Sequence, residues 1–445
     1  MRCSTLAILT TWIGAMLGGT VVAQQAITQP GSIQATAAEY YDSYYSLENA
    51  AEPASPSDQP VPPAPAPKPP SANVACPVCG GGGCVECCER DGHGALGDPW
   101  TLMGHFDPCC PINAGGWVQF GYTDESNGLF NRHPNRLNNH QSWVFVEKEA
   151  VAEAGTWDWG FRFDVLYGVD AQDTQAYGNP PGNWDYLNGF DHGIYGWALP
   201  QTYVDVAYGD WNVRLGHFFT TIGNEVVAAP QNFFYSHGLA HYLIEPFTHT
   251  GALVSYSVND EVTLHGGWTL GWDSGFDQLD QGSNFIGGFT VPVVGDATFT
   301  YGATAGNFGW RGDNAYEHSM VLKVPITERL KYIGETDLIR VRSTGEDALG
   351  IPQYLIWEYN DWLAFGARVE WFKGDQETTL DYFRRVGTGP QVALPPGSHS
   401  LYEATFGVNI RPHANFVFRP EIRYDWAPFA DYDQTIFGID MFATF

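Results

Sequence analysis

The sequence predicts an all-β fold, an antiparallel up-and-down transmembrane β-barrel of about 16 strands, preceded by a disordered Pro-rich and Cys-rich N-terminal arm. Three observations predict it. From Gly116 onward apolar residues recur at every second position in sixteen successive stretches, the period of a strand with two unlike faces. The connections between stretches alternate in length: tight ones such as Gly209-Asp210, Asn259-Asp260 and Pro412-His413 are followed by longer ones such as 170–198, 220–247 and 374–399. Short turns at one end and long loops at the other are the mark of an outer-membrane barrel. The composition agrees: 16% charged residues, 15% aromatic residues and 51 glycines suit strands that meet two environments. A formal charge of −29 leaves no basic footprint for nucleic acid.

In chain order, residues 1–23 have the form of a signal peptide. Arg2 precedes an apolar run from Leu6 to Leu17, and "VVA" stands before Gln24. Cys3 lies ahead of the apolar run, where a lipoprotein cysteine would not be. No later run reaches the roughly 18 apolar residues of a membrane helix, so any crossing must be made by a closed barrel. Residues 24–75 contain "PASPSDQPVPPAPAPKPPSANVA", which is expected to be an extended linker without a core. Residues 76–110 hold Cys76, Cys79, Cys84, Cys87, Cys88, Cys109 and Cys110. In an exported chain these point to disulfides, while the two CxxC pairs also fit thiolate ligation of a metal. Both readings stand.

The barrel is expected over 116–445. In its third stretch Trp157, Trp159, Phe161, Phe163, Val165 and Tyr167 share one face, and Arg162 and Asp164 lie on the other. The fifth stretch adds Arg214, and the thirteenth sets Leu363, Phe365, Val369 and Trp371 against Arg368 and Glu370. The fifteenth sets Phe416, Phe418, Ile422, Tyr424 and Trp426 against Arg419, Glu421 and Arg423. Charges at alternate positions would be costly in a dry soluble core, so these eight charged residues are assigned to a wet lumen wall. The last stretch, "TIFGIDMFATF", alternates Phe437, Ile439, Met441, Ala443 and Phe445. It is expected to pair with the first strand and remove both sheet edges.

The connection 220–247 contains "FFYSHGLAHYLIEPF", too apolar to lie bare in water. An inward fold would bury Phe233, Phe234, Tyr235, Tyr242 and Leu243. Glu225, His237, His241 and Glu245 would then border a pore constriction opposite Arg162, Arg214, Arg368, Arg419 and Arg423, with a transverse field across the waist. The competing reading packs this loop over the mouth or against a neighbouring subunit. His237, His241 and Glu245 would also share one face of a helix, with His249 beyond, a spacing that suits a divalent metal or simply a polar loop face. No GxSxG, HExxH or phosphate-binding loop occurs, so neither an enzyme nor a cofactor is expected.

"GHFFTTIGNEVVAAPQNFFYSHGL" (216–239) and "PFTHTGALVSYSVND" (246–260) make the chain resemble the β-barrel porins of the OmpL-like type, a family found notably in planctomycetes and related bacteria. The resemblance covers about 116–445 and implies an outer-membrane porin, a water-filled channel for passive diffusion of small hydrophilic solutes or ions. The expected partners are outer-membrane lipids, such solutes, further copies in a homo-oligomer such as a trimer, and the cell wall through the arm. The alternative is a non-conducting barrel that anchors the envelope or adheres through that arm.

Overall fold

The computed structural model describes residues 96, 99–102, 111–259, 261–386 and 396–445. The signal peptide, the Pro-rich linker and all seven cysteines of 76–110 lie outside the described residues. The body is a single closed sheet. Its strands are β1 (Asn113–Thr123), β2 (Asn138–Lys148), β3 (Trp157–Gly168), β4 in two pieces (Gly196–Ala198 and Thr202–Tyr208) and β5 (Trp211–Phe219). They continue with β6 (Thr248–Asn259), β7 (Val262–Thr269), β8 (Ser283–Pro292), β9 (Thr298–Asn307), β10 (Ala315–Thr327) and β11 (Leu330–Val341). The last five are β12 (Glu346–Asn360), β13 (Leu363–Gly374), β14 (His399–His413), β15 (Phe416–Ala427) and β16 (Tyr432–Thr444). Both pieces of β4 pair with β3, so they make one barrel strand.

Every neighbour pair is antiparallel, and β1 pairs with both β2 and β16: Trp117 stands opposite Trp143 on one side and Thr444 on the other. Closure satisfies every edge, which a lipid environment requires. The barrel starts at Asn113, three residues ahead of the expected Gly116, because the alternation there is hidden among small residues ("NAGG").

The period of two sorts the side chains. On β13, Val369 and Trp371 point outward and are exposed, while Arg368 and Glu370, which alternate with them, are buried. On β15, Ile422 and Tyr424 are exposed and Arg419, Glu421, Arg423 and Asp425 are buried. Apolar outside and ionic inside is the inverse of a soluble core. An exposed apolar belt this continuous is stable only against another apolar phase. Aromatic pairs bound the belt: Trp157 with Tyr208 and Trp211 with Tyr256 at the tight-turn end, Tyr402 with Trp426 at the other, at ring separations of 4.6, 4.5 and 5.2 Å. Such rings suit the membrane interfaces.

Three loops at the long-loop end carry short helices: α1 (Ala171–Thr174), α2 (Leu239–Leu243) and α3 (Gln376–Val386). At the tight-turn end, Trp100 donates its backbone N–H to the side chain of Asn415 at 2.7 Å, and Asn415 returns a bond to the Trp100 carbonyl at 2.8 Å. The Trp100 ring lies 6.4 Å from that of Phe445. Trp100 is thus fastened to the tight-turn rim of the barrel.

Phe445 also exchanges two backbone hydrogen bonds with Gly116, each 2.9 Å, at the closing seam. Replacing Phe445 with Asp places a charge beside the apolar belt and removes the ring that packs against Trp100. The variant is expected to reach the outer membrane at a markedly lower level and to lose its folded band on unboiled gels. Normal amounts of heat-modifiable barrel would refute this.

Candidate functional site

The connection 220–247 leaves β5, enters the barrel and returns to β6. Phe233, Phe234, Tyr235 and Leu243 are buried and Tyr242 is half-buried. Glu225, His237, His241 and Glu245 are all buried. What holds the loop inside is an ionic ladder on β13–β16, read mostly by the loop's backbone. Glu370 accepts the backbone N–H groups of Leu239 and Ala240 at 2.6 and 2.7 Å. Glu421 accepts those of Tyr235 and Ser236 at 2.9 and 3.0 Å. Arg419 donates to the carbonyls of Ala229 and Asn232 at 2.9 and 2.7 Å, and Arg423 donates to that of His237. A loop without strand or long helix has many backbone groups to satisfy, and wall charges satisfy them with strong, charge-assisted bonds.

Arg368 is the centre of this ladder. It donates to Glu225 of the loop, to Glu403 of β14 and to the Ser236 carbonyl, each at 2.7 Å. Glu225 further accepts from Tyr354 at 3.1 Å and from the Gly238 amide at 2.9 Å. Burial would raise the Glu225 carboxyl, but the Arg368 guanidinium and His237 outweigh it and carry it well below the usual range. Across the wall Glu370, Glu403 and Asp425 stand side by side in register. Such a row of like charges is tolerable only because Arg368 and Arg423 interleave with it, Arg423 pairing with Asp425 at 2.7 Å.

Two features of the expected waist need correction. Arg162 and Arg214 point inward but do not meet the loop: Arg162 pairs with Glu147 and Asp164 at 2.7 Å, and Arg214 with Asp205 at 2.8 Å, along β2–β5. Each lies over a neighbouring ring, Phe145 and Tyr203 respectively, so the wall consumes these charges itself. Nor do the loop carboxylates face arginines across an open gap. Glu225 is closed onto Arg368, and Glu245 lies against Glu335 and Asp337 of β11. Burial, then the acidic neighbours led by Glu335, push the Glu245 carboxyl well above its usual range.

The four-residue histidine spacing is only partly assembled. His237 and His241 stack at 4.7 Å and His241 bonds Glu245 at 3.1 Å. Burial, then His237, lowers His241 to about 3. His249 sits apart at the start of β6, bonded to Thr220.

Sequence reasoning missed the wall's glycines. A Cβ on Gly366 would overlap the Phe233 ring, and one on Gly121 the Tyr235 ring. On Gly407 it would come within 3.0 Å of Phe234, and on Gly438 within 3.1 Å of Tyr235. Each follows a phenylalanine: Phe120-Gly121, Phe365-Gly366, Phe406-Gly407, Phe437-Gly438. The repeated Phe-Gly is the legible signal, an outward ring followed by an inward notch, since glycine inside a strand marks close approach of another group. Also missed were the inward acids Glu317, Glu335, Asp337, Glu403 and Asp440, which the period of two could have found. A cleft between loop and wall is lined by Gln119, Asn131, His140, Asp170, Asn232 and Arg419.

A closed barrel, apolar outside and ionic inside, with a loop fastened within its lumen, defines an outer-membrane channel protein. The chain belongs to the family described as "Putative beta-barrel porin-2, OmpL-like", whose model matches residues 111–445. It is a porin of the outer membrane. Among solved structures it is similar to the outer-membrane channel DcaP of Acinetobacter baumannii (TM-score 0.50, 10% identity, 75% of this chain and 97% of that one). It is similar also to OprB of Pseudomonas putida at high pH (0.51, 12%, 75% and 94%). A third is Salmonella typhi OmpF, solved in complex with daunomycin (0.51, 9%, 75% and 97%). At these identities they show the shared fold. No curated protein matches the chain.

Proposed function

We propose that the barrel is a passive-diffusion porin for small hydrophilic solutes and that loop 220–247 sets its aperture. The observation that carries this is the grip on the loop: wall residues Arg368, Glu370, Arg419, Glu421 and Arg423 bind its backbone within the lumen. A segment so held is a fixed constriction. In this reading Glu225, His237, His241 and Glu245 hold the loop in shape, with Arg162, Asp164 and Arg214 stiffening the opposite wall. Export begins with a signal peptide cleaved near Ala23.

Purified protein in a planar bilayer is expected to give stepwise currents, and deletion of 226–244 with a short Gly-Ser bridge should raise the unit conductance severalfold. A correctly folded barrel that stays silent with and without the loop would sink the porin reading. It would favour a scaffold acting through its N-terminal arm.

A further inference from the structure

Where the loop turns back toward β6, its Glu245 meets Glu335 and Asp337, which point inward from alternate positions of β11. One oxygen from each carboxylate lies within 4.8 Å of the others, and all three residues are buried. The Ser319 hydroxyl sits beside both carboxylates and donates to Glu335 at 3.3 Å, which leaves neither oxygen of the fully buried Asp337 with a well-formed hydrogen bond. Glu317 lies one step away on the same inward face of β10, also fully buried, and both its oxygens too are unpartnered. Among the described residues no lysine or arginine forms an ion pair with any of the four: His241 bonds Glu245 at 3.1 Å, and Arg311, whose charge reaches Glu317, is itself paired with Glu346. The backbone makes room for the group: Gly223, at φ +89°, is placed so that any Cβ would overlap the Glu245 carboxylate.

On β13–β16 the buried carboxylates Glu403, Asp425 and Asp440 are paired with guanidinium groups, and a buried carboxylate without a counter-charge is strongly unfavourable. The missing counter-charge here has the signature of a hard cation. Three carboxylates offer up to six oxygens, each able to bind through one or both, which suits the irregular shell of calcium better than the strict octahedron of magnesium. We propose that Glu245, Glu335 and Asp337 bind one Ca2+ ion, which ties the returning limb of loop 220–247 to β11. Glu317 adds negative field beside it. The ion completes on the β10–β11 side the fastening that arginines provide on β13–β16.

The test uses full-length protein folded in detergent and stripped with EDTA, titrated with CaCl2 by calorimetry at physiological salt, where weak binding to exposed acids is screened. One saturable site per chain is expected, together with a Ca2+-dependent rise in unfolding temperature. Glu245→Gln and Asp337→Asn should each weaken binding by about tenfold or more and abolish the temperature rise. Glu261→Gln, on an exposed turn, should change neither. Heat-modifiability on gels establishes that each variant is folded, and Glu335→Gln replaces either one that is not. Absence of saturable Ca2+ binding to the stripped wild-type protein overturns the proposal, as does equal binding by the folded variants. Carboxylates that merely share protons would give that result, with the neutral variants more stable at every Ca2+ concentration. Binding is read without any current, so failure here is distinct from failure of the diffusion-pore reading.

Discussion

Arg368→Met is expected to destabilise the barrel by about 3–5 kcal/mol, the cost of removing one partner from a buried ionic network, and to free the loop. The residue is completely buried, and its guanidinium serves Glu403 on the wall, Glu225 on the loop and the Ser236 carbonyl at once. Methionine fills the stem's volume but leaves Glu225 and Glu403 buried without their main counter-charge. The loop then loses its central fastening. Single-channel recordings should show a larger, noisier conductance, and the folded band on gels should melt at a lower temperature. Arg368→Lys should not restore either property, because one ammonium cannot span three acceptors that a planar guanidinium fork reaches together. Adding Glu225→Gln to Arg368→Met should recover part of the lost stability, since it removes one of the stranded charges, and the non-additivity measures the coupling. Wild-type melting and conductance in Arg368→Met would remove this residue from the account of the constriction.

Gly366→Val is expected to change the pore while sparing the barrel. Valine is a good strand former, and outward-facing neighbours on β13 are untouched. Its side chain, however, needs the space filled by Phe233, whose ring presses into the notch. Phe233 is packed in turn against Phe234 at 4.9 Å, and these rings share a cluster with Val321, Ile333, Tyr354 and Ile356. Overpacking such a site costs roughly 1–3 kcal/mol, and the loop has more freedom to yield than the hydrogen-bonded wall. The expected result is normal heat-modifiability with a shifted unit conductance. The double variant Gly366→Val with Phe233→Ala should move back toward the wild-type value, because the removed ring vacates the volume. An unchanged conductance in Gly366→Val, with the protein folded, would show that the notch does not position the loop.

Much of this protein was legible before any coordinates. A strand's side chains alternate for purely local reasons, so the outward Trp157, Val369 and Ile422 and the inward Arg162, Arg368 and Arg423 could be read from spacing alone. Turn length is equally local, and the tight connections read at 209–210 and 360–361, the latter one residue early, fix the hairpins that build the sheet. The even count of strands and the surplus of apolar residues on one face then leave closure as the only arrangement without bare edges. The loop's inward fold was legible too, from the cost of exposing "FFYSHGLAHYLIEPF" to water.

Partnership was not. Whether Arg214 meets the loop or Asp205 depends on which strand lies beside it and on the reach of a flexible side chain. Both are settled by three-dimensional placement, and Asp205 is its directly paired neighbour on β4. The same holds for Glu245, which sequence spacing grouped with histidines and the fold set beside Glu335 and Asp337, some ninety residues further along the chain. Sequence by itself determined the barrel, its two faces and the segment that enters it, because each follows from short-range periodicity and the solvent on either side. Only the tertiary structure decided which charge answers which and where a counter-charge is missing, because Coulomb interactions in a buried lumen are set by separation in space and not along the chain.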